Sequence, residues 1–258
     1  MNETSEPPGG RRVAVVTGSG KKRVGWHVAD ALASRGFDLM VHYHTSRDAA
    51  LETAKHLQAH GIRAEVAAAD LADEAGARRL VEATLSQFGR VDVLVTCAAI
   101  WEPKPLAEVT AADLRRQFEV NLAGTFFCAQ QAGLAMARQP EGGCVVLFGD
   151  WAVQRPYRGY SAYFASKGAI PTLTRCLAVE LAALNPRVRV NCVEPGPAMV
   201  PETVSEDERN AIAQSTLVKR LGSPANLAQA VVALVENEFI TGVCLPVDGG
   251  RSIYAGGL

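Results

Sequence analysis

The chain has 258 residues, 48% of them hydrophobic, enough to bury a substantial core in one large α/β domain or two small ones. Twenty-six basic residues against 27 acidic ones leave a net charge of -1, so no nucleic-acid or anionic-membrane partner is expected. Six cysteines without a C-x-x-C pair read as buried free thiols of a reduced, cytoplasmic compartment, and five histidines that do not pair with them at ligand spacing give no reason to expect a metal.

Residues 1–10 are polar and rich in Pro and Gly, without an apolar h-region, and read as a disordered tail before a domain over 11–258. Residues 12–17 (RVAVVT) form a short β-branched run and predict a first strand. A helix over 24–35 stops at Gly36, and 37–43 (FDLMVHY) is the second strand. The pattern repeats with a helix over 48–60, a strand over 63–68, a helix over 73–88 closed by Gly89, and a strand over 91–96. A long helical stretch over 111–138, in one piece or two, precedes a fifth strand over 144–148. A long helix over 160–184, a strand over 187–193, a helix over 224–235 and a late strand over 242–247 complete the series. No apolar run reaches membrane-spanning length.

Such alternation, with nearly all-apolar strands, predicts a single-domain, Rossmann-type, doubly wound parallel sheet of about seven strands with helices on both faces. Ligands then bind beyond the C-terminal strand ends. The first strand runs into Thr17-Gly18-Ser19-Gly20-Lys21-Lys22-Arg23-Val24-Gly25 and then a helix. Glycines let the backbone approach a pyrophosphate, and the helix N-terminus offers it free N–H groups. An acid at the end of strand two would select NAD by bonding the ribose 2′-OH. Here that strand ends in Tyr43-His44-Thr45-Ser46-Arg47, and Asp38 lies at its wrong end. His44, Ser46, Arg47 and the Lys21, Lys22 and Arg23 cluster offer donors for a 2′-phosphate, so the expected cofactor is NADP(H). Arg47 alone reads equally as a solvated helix start. Asp70-Leu71 follows strand three, where a carboxylate could meet the adenine amino group or cap a helix. Cys97, Ala98 and Ala99 after strand four leave room beside the nucleotide.

Tyr163 and Lys167 stand four residues apart on one helix face. A phenol has a pKa of about 10, and an ammonium one turn away is expected to lower it. With the motifs above, the sequence resembles the short-chain dehydrogenase/reductase family over about 12–253. The matching features are the glycine-rich turn, Asp70-Leu71, Cys97-Ala98-Ala99, Asn121, Tyr163-x-x-x-Lys167, Pro195-Gly196 and Val247-Asp248-Gly249-Gly250. The resemblance implies that Tyr163 transfers a proton, that Lys167 binds the nicotinamide ribose and tunes the tyrosine, and that Asn121 holds a relay water. It also implies a homotetramer.

Most family members carry a serine thirteen residues before the tyrosine, where this chain has Asp150. An ionised aspartate accepts hydrogen bonds and suits a substrate presenting N–H groups or needing a nitrogen protonated. On the residues alone Asp150 fits equally a helix cap or a partner for Arg155. The replacement resembles the pteridine reductases, as do Val41-His42-Tyr43-His44-x-Ser46 and Arg23 near the pterin and phosphates. Trp101 falls where those enzymes stack the pterin on the nicotinamide, worth roughly 1 kcal/mol beyond area burial. Ala99 stands where they place a serine that contacts the pterin.

The leading expectation is therefore reduction of a dihydropteridine, or dihydrofolate, by NADPH. A second is reduction of a ketone or 3-oxoacyl thioester, and a third an NADP-binding protein without turnover. The polar segment 199–210, flanked by prolines, is expected to form a mobile substrate lid.

Overall fold

The computed structural model describes residues 10–254, so all but the last residue of the expected tail lies outside the described residues. Seven strands form one parallel sheet in the order β3-β2-β1-β4-β5-β6-β7. They are β1 Val13–Thr17, β2 Asp38–Tyr43, β3 Ala64–Ala68, β4 Val93–Thr96, β5 Gly143–Phe148, β6 Val188–Pro195 and β7 Cys244–Val247. The helices are α1 Val24–Ala33, α2 Arg47–Gln58, α3 Glu74–Phe88, α4 Ala111–Phe118, α5 Gly124–Ala137, α6 Ser161–Gly168, α7 Ile170–Leu184, α8 Glu206–Gln214 and α9 Pro224–Glu236. The doubly wound single-domain expectation is met.

Alternate residues of each central strand face opposite layers. Ala14, Val16, Val93, Val95 and Val146 pack under α1, α2 and α9 through Val28, Leu32, Leu57 and Val231. Val15, Leu94, Val145 and Leu147 pack under α3, α5 and α7 through Leu80, Ala132, Met136 and Leu181. Both strand faces are buried, which is why these strands read as continuous apolar runs. Arg189 is buried on β6, and its guanidinium donates to the carbonyls of Leu234, Val235 and Ile240 at 2.8 Å. It thereby satisfies the C-terminal carbonyls of α9 with a cation, as the helix dipole favours.

One helix differs from expectation, and of the two forms expected for another the structure shows the divided one. The stretch 160–184 is broken at Ala169 into α6 and α7. Pro171 lacks an N–H, and its ring crowds the carbonyl of Lys167 four residues back, so one continuous helix cannot form. The stretch 111–138 is divided by a π-helical turn over Glu119–Ala123. Such turns insert one residue into a helix and redirect a side chain, here Asn121. No helix among the described residues is long and apolar enough to cross a membrane.

Candidate active site

The strand order reverses between β1 and β4, and a cleft of about 640 Å³ opens there at the C-terminal strand ends. Gly18, Arg23, Val24, His44, Ser46, Asp70, Leu71, Cys97, Ala98 and Ala99 all line it, as the sequence predicts. The cleft has the features a dinucleotide requires. Gly18 sits at φ +65°, and a Cβ on Gly25 would lie 2.8 Å from the Gly18 carbonyl oxygen. The glycine-rich turn can therefore be this tight only without side chains. Arg23 is the N-cap of α1, with no side-chain cap and no acid in the first turn. The leading N–H groups of the helix are thus left for an anion.

His42 organises this turn. Its Nδ1 accepts from the Gly18 N–H at 3.0 Å, and Nε2 lies 3.0 Å from the Ala69 carbonyl oxygen. Nε2 therefore carries the hydrogen and donates it. Burial holds the ring below its usual pKa, keeping it neutral in this tautomer. Within the Val41–Ser46 segment that resembles the pteridine reductases, the His42 side chain turns inward and ties β2 to the glycine turn and to β3.

Several predicted cofactor contacts lie elsewhere. Ser19 is fully buried; its hydroxyl donates to Val16 at 2.7 Å and its N–H to His42 at 3.2 Å, so it has nothing left for a phosphate. Lys22 is exposed and its ammonium lies 5.2 Å from the Trp26 ring. Arg47 begins α2 on the exposed side and does not line the cleft. Gly196 backs onto the chain after β7, where a Cβ would meet the Asp248 Cα at 2.3 Å, so Pro195 and Gly196 serve the β6–β7 corner. Asp70 does line the cleft; its carboxylate accepts from Ala72 N–H at 3.0 Å and lies 3.8 Å from His44 Nε2. The cap of α3 is Asp73, so the capping alternative for Asp70 fails.

Beside the cleft, Tyr163 and Asp150 meet. The Tyr163 hydroxyl donates to Asp150 Oδ2 at 2.8 Å, while Asp150 Oδ1 accepts from Ala152 N–H at 2.8 Å and caps a short 3₁₀ turn. The capping reading of Asp150 is thus correct and does not exclude the other, since the two oxygens do different work. Arg155 is not its partner; it donates to the carbonyls of Arg251 and Tyr254. Lys167 is 3% exposed, and its Nζ donates to the Phe148 carbonyl at 2.8 Å.

The expected lowering of the phenol pKa is reversed. Burial, then the charge and hydrogen bond of Asp150, push Tyr163 far above the usual phenol value. The Asp150 carboxyl is itself raised, by burial first, against the pull of its hydrogen bonds and of Lys167 and Arg251. Burial lowers Lys167, opposed by Asp150. Each group is thus biased towards its neutral form. Glu194, which the sequence reading missed inside the apolar run of β6, joins this group. It is 4% exposed and raised by burial, with Asp150 and Asp248 adding to the effect.

Asn121 is fully buried below the site. Its Oδ1 accepts from Ile100 N–H at 2.9 Å, and Nδ2 faces Gln117 Oε1 at 2.9 Å, the Ile100 carbonyl at 3.1 Å and Ser166 Oγ at 3.1 Å. The main chain of Asn121 remains open to the expected relay water, but with two hydrogens for three acceptors the side-chain amide has none to spare. It braces the loop after β4 instead. Asn121→Ala is expected to cost about 3 kcal/mol of stability, because Ile100 and Gln117 lose buried partners. Urea unfolding measures this; a change below about 1 kcal/mol would mean that water replaces the amide.

Trp101 is 45% exposed and stacks on Tyr160, with ring centroids 4.7 Å apart and planes at 15°. It lines neither the cleft nor a second cavity of about 190 Å³ walled by Tyr160, Tyr163, Gln117 and the Lys104–Asp113 ion pair. Substrate stacking would therefore have to share Trp101 with Tyr160. The segment expected as a lid is partly helical: Ser205 and Glu208 form a capping box that starts α8. Arg209 ties α8 back to the carbonyls of Val200, Pro201 and Val204, and Met199 lines the cleft.

The geometry has close counterparts. Residues 19–252 match the family model described as enoyl-(acyl carrier protein) reductase. A short-chain type dehydrogenase/reductase of Picea abies is 32% identical over 255 residues, covering 94% of this chain and 93% of that protein. The crystal structure of acetoin dehydrogenase YohF from Salmonella typhimurium superposes with a TM-score of 0.85 at 33% identity, covering 95% of this chain and 98% of that one. A blue fluorescent protein from a metagenomic library, crystallised with NADPH, gives 0.84 at 33% identity, covering 93% and 97%.

Proposed function

This chain belongs to the short-chain dehydrogenase/reductase family, and we propose that it is an NADPH-dependent reductase of a flat nitrogen heterocycle of the pterin kind. The substrate is a dihydropteridine, dihydrofolate included, taken to the tetrahydro level. The observation that carries this reading is the Tyr163–Asp150 hydrogen bond, made between two groups whose pKa values burial raises. Reduction of a C=N bond needs a proton delivered to nitrogen. Tyr163, which lines the second cavity, donates it, and Asp150, whose raised pKa favours its acid form, returns a proton to the phenolate through the same 2.8 Å contact and is reprotonated from solvent. Bound NADPH supplies the hydride. Lys167, fixed by Phe148, positions the nicotinamide ribose, and Tyr160, which carries Trp101 stacked on it, supplies the aromatic wall of the second cavity.

Preference for the phosphorylated coenzyme follows from the end of β2. It presents no acid there, the Ser46 hydroxyl is not used as a cap, and Lys21, Arg23 and His44 line the same side. The same reading makes the protein a cytoplasmic homotetramer, for which Leu134, Val179 and Leu184 on α5 and α7 supply exposed apolar surface.

The acetoin dehydrogenase likeness favours a second reading, reduction of a small hydroxyketone. The two separate cleanly. NADPH oxidation should accelerate with dihydrobiopterin and stay at background with acetoin; the opposite pattern overturns the pterin assignment. Asp150→Asn should lower pterin reduction by roughly 10²-fold. Because the Asp150 pKa is raised, its proton is present on the acid side and lost as pH rises. The wild-type rate should therefore fall with rising pH, and the variant should lack that limb. An unchanged profile in Asp150→Asn would remove Asp150 from the proton path.

A further inference from the structure

We infer that Asp30, His56 and His60 form a binding site for a divalent transition-metal ion of the zinc or copper kind, on the outer side of the α1–α2 layer and apart from the coenzyme cleft. Asp30 lies on α1, His56 on α2, and His60 just beyond the end of α2. Asp30 Oδ1 is 2.8 Å from His56 Nε2 and 2.9 Å from His60 Nε2. One atom from each residue falls within 4.8 Å of the other two. Ligand atoms around a tetrahedral Zn²⁺, each about 2.0–2.1 Å from the ion, stand roughly 3.3 Å apart. The carboxylate oxygen therefore needs to part from each ring nitrogen by only about 0.5 Å to admit an ion.

The rings are held in place for this. His56 packs against Trp26, with ring centroids 4.7 Å apart, and meets His60 nearly edge-on at 85°. The Asp30 carboxyl, raised by burial but pulled down further by the two imidazoles, lies below its usual pKa and is ionised at neutral pH. One carboxylate oxygen faces both Nε2 atoms, so each Nε2 carries a hydrogen in the metal-free site. On binding, a neutral ring shifts that hydrogen to Nδ1, and an imidazolium releases one proton to solvent. The ion then takes two Nε2 lone pairs and one carboxylate oxygen, with water completing its shell. Two imidazoles with one carboxylate suit Zn²⁺, Cu²⁺, Ni²⁺ or Co²⁺, whereas Ca²⁺ and Mg²⁺ prefer an all-oxygen set. Side-chain exposures of 47% for His56 and 32% for His60 leave an entry path. The ion clips α1 to α2 at the ends of these helices remote from the cleft.

The full-length protein, stripped with a chelator, is titrated with ZnSO₄ by calorimetry. One ion per chain is expected. The His56→Gln/His60→Gln double variant should bind on the order of a hundredfold more weakly. Cu²⁺ should quench the fluorescence of wild-type protein but much less that of Trp26→Phe, whose zinc heat should persist. Zinc should also raise the Tm of the wild type and not that of the double variant. No zinc heat in the wild type leaves the cluster an ordinary hydrogen-bonded group and overturns the site. Undiminished heat in the double variant moves the ion elsewhere, for example to thiols, and overturns it too. If the double variant fails to fold, His56→Gln alone carries the same test.

Discussion

Tyr163→Phe is expected to slow substrate reduction by roughly 10³-fold while leaving NADPH binding unchanged. In the proposed reaction the phenol is the proton donor, and phenylalanine keeps its shape beside the second cavity and in the cluster with Trp151, Ala152 and Phe164. What disappears is one hydroxyl. Its loss removes the hydrogen bond to Asp150 Oδ2, a contact worth about 1 kcal/mol to the fold. The fold therefore survives, and the defect appears in turnover. Single-turnover oxidation of bound NADPH separates the two effects, with coenzyme binding followed by fluorescence. A variant that retained most of the wild-type rate would make Asp150 the direct donor and Tyr163 only its support. The raised pKa of Tyr163 also bears on pH dependence in the proposed reaction. A phenol held protonated suits reduction, and oxidation should become competitive only at alkaline pH.

Gly76→Ala should be the most damaging single methyl in the chain's first half. A Cβ there would lie 1.8 Å from the Asp70 carbonyl oxygen and 2.8 Å from its carbon. Neither is the movable end of a flexible side chain. The first turn of α3 must lift away from the strand-three exit, or Asp70 must shift. A cost of about 3 kcal/mol or more is expected, which for a domain of this size lowers Tm by roughly 10 °C. Thermal unfolding followed by circular dichroism measures it, and an unchanged Tm would mean that the backbone here yields easily. Asp70 and Leu71 line the cleft, so coenzyme affinity should fall in the same variant.

The sheet was legible because a parallel strand covered on both faces needs apolar residues throughout, as in Val93–Thr96 and Gly143–Phe148. Helix ends were legible wherever a glycine marked them; Gly89 closes α3 at φ +79°. Ten of the expected cofactor contacts do line the cleft, because their type follows from the approach of backbone to phosphate. What the sequence withheld depends on contacts between distant segments. Periodicity alone does not reveal a π turn, and only that turn explains why Asn121 spends its amide on Ile100. The Pro171 break was visible in principle, four residues after Lys167, but the apolar rhythm on both sides reads straight through it. The inward turn of His42, the stacking of Trp101 on Tyr160 and the phenol's raised pKa all come from neighbours thirteen or more residues away or from burial itself. The Asp30 group escaped notice because a four-residue histidine spacing gains meaning only when a carboxylate 26 residues earlier is brought to it.

The position of His42 divides the end of β2 into two parts with different tolerance to change. His44 and Ser46 line the cleft and are not buried, so on the proposed reading a library at these positions is expected to retune coenzyme choice with the scaffold intact. His42 stands two residues before His44, and its ring nitrogens hold both the glycine turn and β3. A substitution there would register in a screen as lost coenzyme selectivity, although the lesion would be in the turn that receives either coenzyme. Redesign of preference in this protein therefore begins at residue 44.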